Sequence, residues 1–264
     1  MFDDAELSAF YPADYYAFTD RFTPKSFPLF KRMVRGILGL REFRTKDPKF
    51  DKPGKMLDVG CGSGWFISQM RDQGWDVMGV EPSAAAAEFG RSQRGLNIFT
   101  GSLLDAEFDT GSFDYVRLNH SLEHMSDPNR ILAEIHRILA NDGKLMVGVP
   151  DRESLNAKIF GPYWYHLALP LHAFSFSAET LKMMLDKHSF AVQKVIFNTD
   201  NAGIQGSIQF FLNRRKEPLG AEGSITDSRV ARVLTVWVAY LENMLHLADC
   251  IEVTAVKKKT DYAS

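Results

Sequence analysis

From residue 53 onward the chain alternates between short apolar runs and amphipathic stretches. Lys55–Val59, Asp76–Val80, Leu96–Thr100, Phe113–Leu118 and Lys144–Val149 read as strands. Between them, Trp65–Gln73 reads as a helix stopped by Gly74, and the alanine-rich Ser83–Arg94 as a helix stopped by Gly95. Asp127-Pro128 starts a further helix, with Asp as the cap and Pro in the first turn. Ile131, Leu132, Ile135, Ile138 and Leu139 form its buried stripe, and Asn141-Asp142-Gly143 turns the chain into the fifth strand. Short apolar strands separated by helices predict a parallel sheet covered on both faces.

The second half is less regular. Asp151–Phe176, dense in Tyr, Trp, His and Pro, reads as a functional loop because it is long for a compact domain. Ala178–His188 is a predicted helix and Phe190–Phe197 a sixth strand. Ile204–Leu212 reads as a strand or part of a cap. Ser228–Leu247 is a predicted helix with Val230, Val233, Leu234, Trp237, Leu241, Met244 and Leu245 on one face, and Ile251–Val256 is a last strand. That apolar face suits capping the core, with a homodimer interface or a membrane surface as the other uses.

Before the first strand, residues 1–24 carry Phe2, Phe10, Tyr11, Tyr15, Tyr16, Phe18 and Phe22 without a strand period, which suits an aromatic segment packed on the body or lying over a ligand as a lid. Phe27, Phe30, Val34, Ile37 and Leu38 repeat at helical spacing over 26–43, with Lys31, Arg32 and Arg35 opposite. A solvated helix face and a basic linker account for these charges; an anionic acceptor or membrane surface is the sharper alternative. The expected organisation is a lid segment over 1–50 and a catalytic domain over 51–264, with 200–249 as a cap insertion.

Composition narrows this picture. The 264 residues are 45% hydrophobic and 24% charged, enough for a full core. A formal charge of −2 gives no case for nucleic-acid binding. Cys61 and Cys250 are the two cysteines, and one lies inside a glycine turn, so a disulfide is not expected and a reducing compartment fits. The acidic N-terminus lacks a signal-peptide layout, and no uncharged apolar run reaches 18 residues; a cytoplasmic protein is expected.

Chemistry concentrates at the end of the first strand. Gly60, Gly62 and Gly64 allow a sharp turn, which is expected to leave bare amides facing a ligand at the start of the next helix. A dinucleotide fingerprint needs its third glycine one position later, where the bulky Trp65 stands. Glu81, at the end of the second strand, can accept hydrogen bonds from both ribose hydroxyls, which suits a nucleoside without a 2′-phosphate. A nicotinamide-dependent oxidoreductase agrees with Glu81 but not with the glycine spacing. His120-Ser121-Leu122-Glu123-His124 literally fits a metallopeptidase pattern, but that motif needs one continuous helix and this one follows a strand; no metal is expected.

Leu57-Asp58-Val59-Gly60-Cys61-Gly62-Ser63-Gly64, Glu81-Pro82-Ser83, Gly111–Val116, Ser121–Pro128, Arg137–Val147 and Pro170–Ser175 together resemble the class I S-adenosylmethionine-dependent methyltransferases, in the small-molecule type 11 and type 23 group. The resemblance implies a Rossmann-like, doubly wound α/β fold with a seven-stranded, mostly parallel sheet and S-adenosylmethionine as cofactor. It implies a methionyl group over Gly60, Cys61, Gly62 and Gly64 with Asp58 ordering the turn, and the ribose at Glu81 with Pro82 and Ser83 beside it. Ser102 and Leu103 would flank the adenine, and Asn119 and His120 would face the methyl. The family's usual acid after the third-strand glycine is Ser102 here.

Methyl transfer from sulfur is an in-line displacement, so alignment and exclusion of water carry much of the catalysis. A hydroxyl acceptor also gains from a base near neutral pKa, for which His124 and His172 are the candidates. Tyr16 from the lid and Tyr163, Trp164 and His166 from the aromatic loop would shape the acceptor pocket. The expected reaction is O-methylation of a metabolite, sugar or lipid-linked intermediate. N- or C-methylation, or a non-catalytic S-adenosylmethionine-binding subunit, are the other options.

Overall fold

The structure is a computed structural model that describes residues 49–199, 201–214 and 223–259. The expected lid, the helix over 26–43 and Tyr16 lie outside the described residues.

Seven strands form one sheet in the order β3-β2-β1-β4-β5-β7-β6. They are β1 (Lys55–Val59), β2 (Asp76–Glu81), β3 (Ile98–Thr100), β4 (Phe113–Asn119), β5 (Leu139–Pro150), β6 (Phe190–Asn198) and β7 (Cys250–Lys257). The first five run parallel, while β7 is antiparallel to both β5 and β6. This is the helix-covered parallel sheet the alternating pattern predicts, in the Rossmann-like, mostly parallel α/β form the family resemblance implies.

Alternate residues of the central strands enter separate cores. Leu57, Val59, Val116, Leu118, Val147 and Val149 pack with Ile131, Leu132 and Ile135 of α3 (Pro128–Ile138) and Leu181 and Leu185 of α5 (Ala178–Lys187). Met56, Tyr115 and Met146 pack on the other face with Ile67 and Met70 of α1 (Trp65–Asp72) and Ala87 of α2 (Ala84–Arg94). Each fully buried aliphatic side chain contributes about 1.5–3 kcal/mol, so both faces are firmly covered. The caps follow the sequence: Ser83 accepts the Ala86 N–H, Asp127 accepts from Asn129 and Arg130, and Gly95 closes α2 with φ 62°.

Three expectations change. The aromatic stretch after β5 is not a plain loop, because α4 (Leu155–Phe160) and two single 3-10 turns, Gly161–Tyr163 and Tyr165–Leu167, form within it. Ile204–Leu212 belongs to a helix, α6 (Asn201–Asn213). It buries Gln205, Ser207 and Gln209 because partners meet them: Gln205 donates to Thr235 Oγ1, Ser207 to the Gly203 carbonyl and Gln209 to Asn213.

The third change concerns α7 (Arg229–Met244), which turns its apolar stripe outward. Val230, Val233, Leu234, Leu241 and Met244 are all more than half exposed, and Trp237 is 45% exposed. The helix instead buries Thr235, Ala239 and Glu242. Its inner face meets polar partners on the body, Gln205 at Thr235 and Asn156 at Glu242. Among the described residues no helix is long and apolar enough to cross a membrane.

Candidate active site at the carboxyl ends of β1 and β4

The strand order reverses between β1 and β4, and in open α/β sheets ligands bind above the carboxyl ends at such a switch point. Both the glycine turn and the segment from Asn119 to His124 leave from this edge.

The turn differs from an amide cradle. Gly60 and Cys61 both donate their N–H to the Val80 carbonyl, and Gly64 donates to the Cys61 carbonyl. Gly62 donates to Glu81 Oε2 at 2.8 Å. The expectation of bare amides is therefore overturned at these four positions, which are spent in fastening the turn to β2. Glycine is required at Gly60 on two grounds: φ is 76°, and a Cβ there would lie 2.6 Å from the Ser121 Cβ. Cys61 turns its side chain down against Gly79, where a Cβ would meet its sulfur at 2.5 Å, so it offers a ligand main chain only. Burial pushes its thiol pKa up.

Glu81 is buried and accepts from Gly62 on one oxygen and from the Ser83 N–H, at 2.9 Å, on the other. Burial raises its pKa, and the two backbone N–H groups work against that rise. Each oxygen retains a second lone pair. Ser83 caps α2, while Pro82 is exposed beside it.

Asp58, expected to order the turn, is buried near the end of β1. Its carboxylate takes Arg117 Nη1 at 3.1 and 3.3 Å in a buried pair, and the guanidinium lies over the Phe66 ring at 3.8 Å. Arg117, missed in the sequence, carries no motif of its own. Ser102 donates to Asp105 Oδ2 at 2.8 Å, which sets an acid directly beside Ser102. Leu103 is fully buried in the core, so its side chain cannot flank an adenine there.

The end of β4 gathers the histidines. Asn119 lies across Gly148, where a Cβ would sit 2.6 Å from its Oδ1. His120 takes a left-handed backbone, φ 53°, and stacks on His166 with ring centroids 6.1 Å apart. Glu123 and His124 occupy a single 3-10 turn, Leu122–His124, which His120 precedes. His124 Nδ1 lies 3.0 Å from the Leu171 carbonyl, so that nitrogen is the donor and Nε2 carries the lone pair. The His172 ring meets His124 edge-on at 4.6 Å. Burial pushes the His172 pKa down to about 3, against the pull of Glu123.

The remaining predicted acceptor residues divide. Trp164 is buried and donates to Asp249 Oδ1 at 2.8 Å, so it anchors the loop rather than lining a pocket. Tyr163 packs against Phe211 of α6. His166, beside His120, is the member nearest the histidine cluster. Asp249 also accepts from Ser154 and Asn156, and Asn156 bridges to Glu242 of α7. This buried network ties α4, the 3-10 turns and α7 to the start of β7.

A methyltransferase-domain family model matches residues 30–195. The chain belongs to this family. It is a methyltransferase domain of the class I, S-adenosylmethionine-dependent kind. Among curated relatives, a ubiquinone/menaquinone biosynthesis C-methyltransferase from Citrifermentans bemidjiense is 29% identical over 117 residues, 40% of this chain and 50% of that one. A ubiquinone biosynthesis O-methyltransferase from Pseudomonas aeruginosa is 30% identical over 105 residues, 37% of this chain and 45% of that one. The chain thus spans about half the length of these relatives. A solved methyltransferase from Thermotoga maritima, described as a possible histamine N-methyltransferase, shares the fold at 20% identity with a TM-score of 0.55, covering 87% of this chain and 96% of that chain. At the carboxyl end of β2, beside the turn, Glu81 is a buried carboxylate with a lone pair left on each oxygen, with room to accept from two hydroxyls.

Proposed function

We propose that this methyltransferase domain transfers a methyl group to a hydroxyl of a small-molecule acceptor, activated at the cluster of Glu123, His124 and His172. The observation that carries this reading is the 3.0 Å contact of His124 Nδ1 with the Leu171 carbonyl. It fixes the tautomer, so His124 presents a lone pair at Nε2 beside the expected methyl position.

S-adenosylmethionine supplies an electrophilic methyl on a positive sulfur. In the proposal, Glu81 holds the ribose hydroxyls, Ser102 with Asp105 meets the adenine edge, and the fastened turn from Gly60 to Gly64 supports the methionyl part. Asn119 and His120 flank the methyl at the end of β4. The chain's share of catalysis is to align the acceptor oxygen and hold it away from water, and alignment can supply about 7–11 kcal/mol. The C- and O-methyltransferases among the relatives differ in acceptor atom, and it is the histidine cluster that favours oxygen here. An amine nitrogen, which attacks through its own lone pair, has less need of a group that lowers the cost of losing a proton.

Incubating metabolite extracts with isotopically labelled S-adenosylmethionine and reading the labelled products by mass spectrometry tests this. O-methylated products are expected; labelled carbon or nitrogen methyls alone would overturn the acceptor assignment. Calorimetry should show binding of S-adenosylmethionine and of its demethylated product, and no binding of NAD.

A further inference from the structure

We propose that Glu123, His124 and His172 form a binding site for a divalent first-row metal ion of the Zn²⁺ class. The proposal deepens the functional reading above and rests on it for the role of the metal, but not for the metal's binding.

The cluster meets a metal's requirements by geometry. One ligand atom from each of the three residues lies within 4.8 Å of the others. A carboxylate with two imidazoles is the His₂Glu donor set of catalytic zinc sites, and three protein ligands keep a position open. The metallopeptidase pattern from His120 to His124 would need both histidines on one helix, and the 3-10 turn is not one. The second imidazole comes instead from His172, in a loop that no short motif connects to Glu123.

Two independent features point the same way. Glu123 is 1% exposed, and its Oε2 accepts no hydrogen bond from any described residue. Its Oε1 has His120 Nδ1 at 3.4 Å, a long contact that leaves Oε2 for another cation. A buried carboxylate in that state is costly unless a cation meets it. His124, for its part, gives its other ring nitrogen to the Leu171 carbonyl, which is how ligating histidines are commonly oriented.

The site is also rigid. The Leu171 carbonyl meets His124, and the Phe174 N–H donates to the Glu123 carbonyl at 3.1 Å. These two links clamp the segment from Leu171 to Phe174 onto the 3-10 turn, with His172 between them. A bound cation with an open position would lower the pKa of a coordinated acceptor hydroxyl.

The test uses the full chain, stripped with chelator and titrated with Zn²⁺ by calorimetry, and with Co²⁺ read by its visible absorption. One equivalent of Zn²⁺ per chain is expected. Glu123→Gln and His172→Ala should each weaken binding by more than about tenfold, while His246→Ala, at an exposed histidine outside the cluster, should leave it unchanged. S-adenosylmethionine affinity, measured on the same proteins, should stay near the wild-type value. Absence of stoichiometric Zn²⁺, or binding that survives both cluster variants, overturns the metal site; loss of binding in His246→Ala does so too. Should Glu123→Gln fail to fold, as judged by circular dichroism, His172→Ala decides. Failure to bind S-adenosylmethionine in the wild type would overturn the functional reading instead, whatever the metal result.

Discussion

The Gly62 N–H donates to Glu81 Oε2 at 2.8 Å, across 19 residues of sequence. One carboxylate therefore has two tasks: it fastens the glycine turn, and it is the proposed ribose anchor. Glu81→Ala should weaken S-adenosylmethionine binding by about ten- to a hundredfold, since hydrogen bonds to a charged group contribute roughly 1.5–3 kcal/mol. It should also lower the melting temperature without ligand, which a residue serving only the ligand would not do. Calorimetry and thermal unfolding read the two effects separately.

Gly60→Ala places a methyl group 2.6 Å from the Ser121 Cβ on a backbone with φ 76°. Strain and overlap together should cost about 2–4 kcal/mol. Adding Ser121→Gly should relieve the overlap and leave the backbone term, so stability should recover in part. Denaturant unfolding of the single and double variants measures this.

Glu242 links stability to pH. Burial, then the neighbouring Asp249, raises its pKa from 4.5 to about 7, against the hydrogen bonds from Thr199 and Asn156. The folded form thus holds a proton that the unfolded chain has lost, so stability falls as pH rises from about 4.5 to about 7 and levels off above that. Glu242→Gln should flatten this slope and stabilise the protein at pH 8 by roughly 1–3 kcal/mol. Melting temperatures from pH 5 to 8 check the sign; a wild-type curve that rises through that window in step with Glu242 would contradict it.

Trp164→Phe removes the Nε1 donor from buried Asp249. The loss should be about 1–3 kcal/mol of stability. Because the aromatic loop hangs from this contact, the acceptor KM should rise while S-adenosylmethionine affinity holds. A kinetic comparison once an acceptor is known, and ligand calorimetry before that, separate the two.

The outward stripe of α7 gives the opposite outcome. Val233→Lys and Leu241→Lys fall on exposed positions and should change stability by no more than about 0.5 kcal/mol. Thr235→Leu, on the same helix but facing inward, should be destabilising because Gln205 loses its partner.

By itself the amino-acid sequence determined the strand and helix alternation, the turn from Gly60 to Gly64 and the caps at Ser83 and Asp127. Each of these is written within a few neighbouring residues: side-chain period, a glycine where φ must be positive, an oxygen placed to accept the first helical N–H groups. It also carried the family motifs. Only the tertiary structure decided the rest. Asp58 meets Arg117 across 59 residues, the segment at Leu171 reaches His124 across 47, and Trp164 reaches Asp249 across 85. No local pattern encodes such pairings. The same cause turned α7 over: its hydrophobic period announced a buried face, but Gln205 and Asn156, folded in from distant segments, offered hydrogen bonds to Thr235 and Glu242. Where those distant partners stand, and not the helix's hydrophobic period, decides which side of α7 is buried.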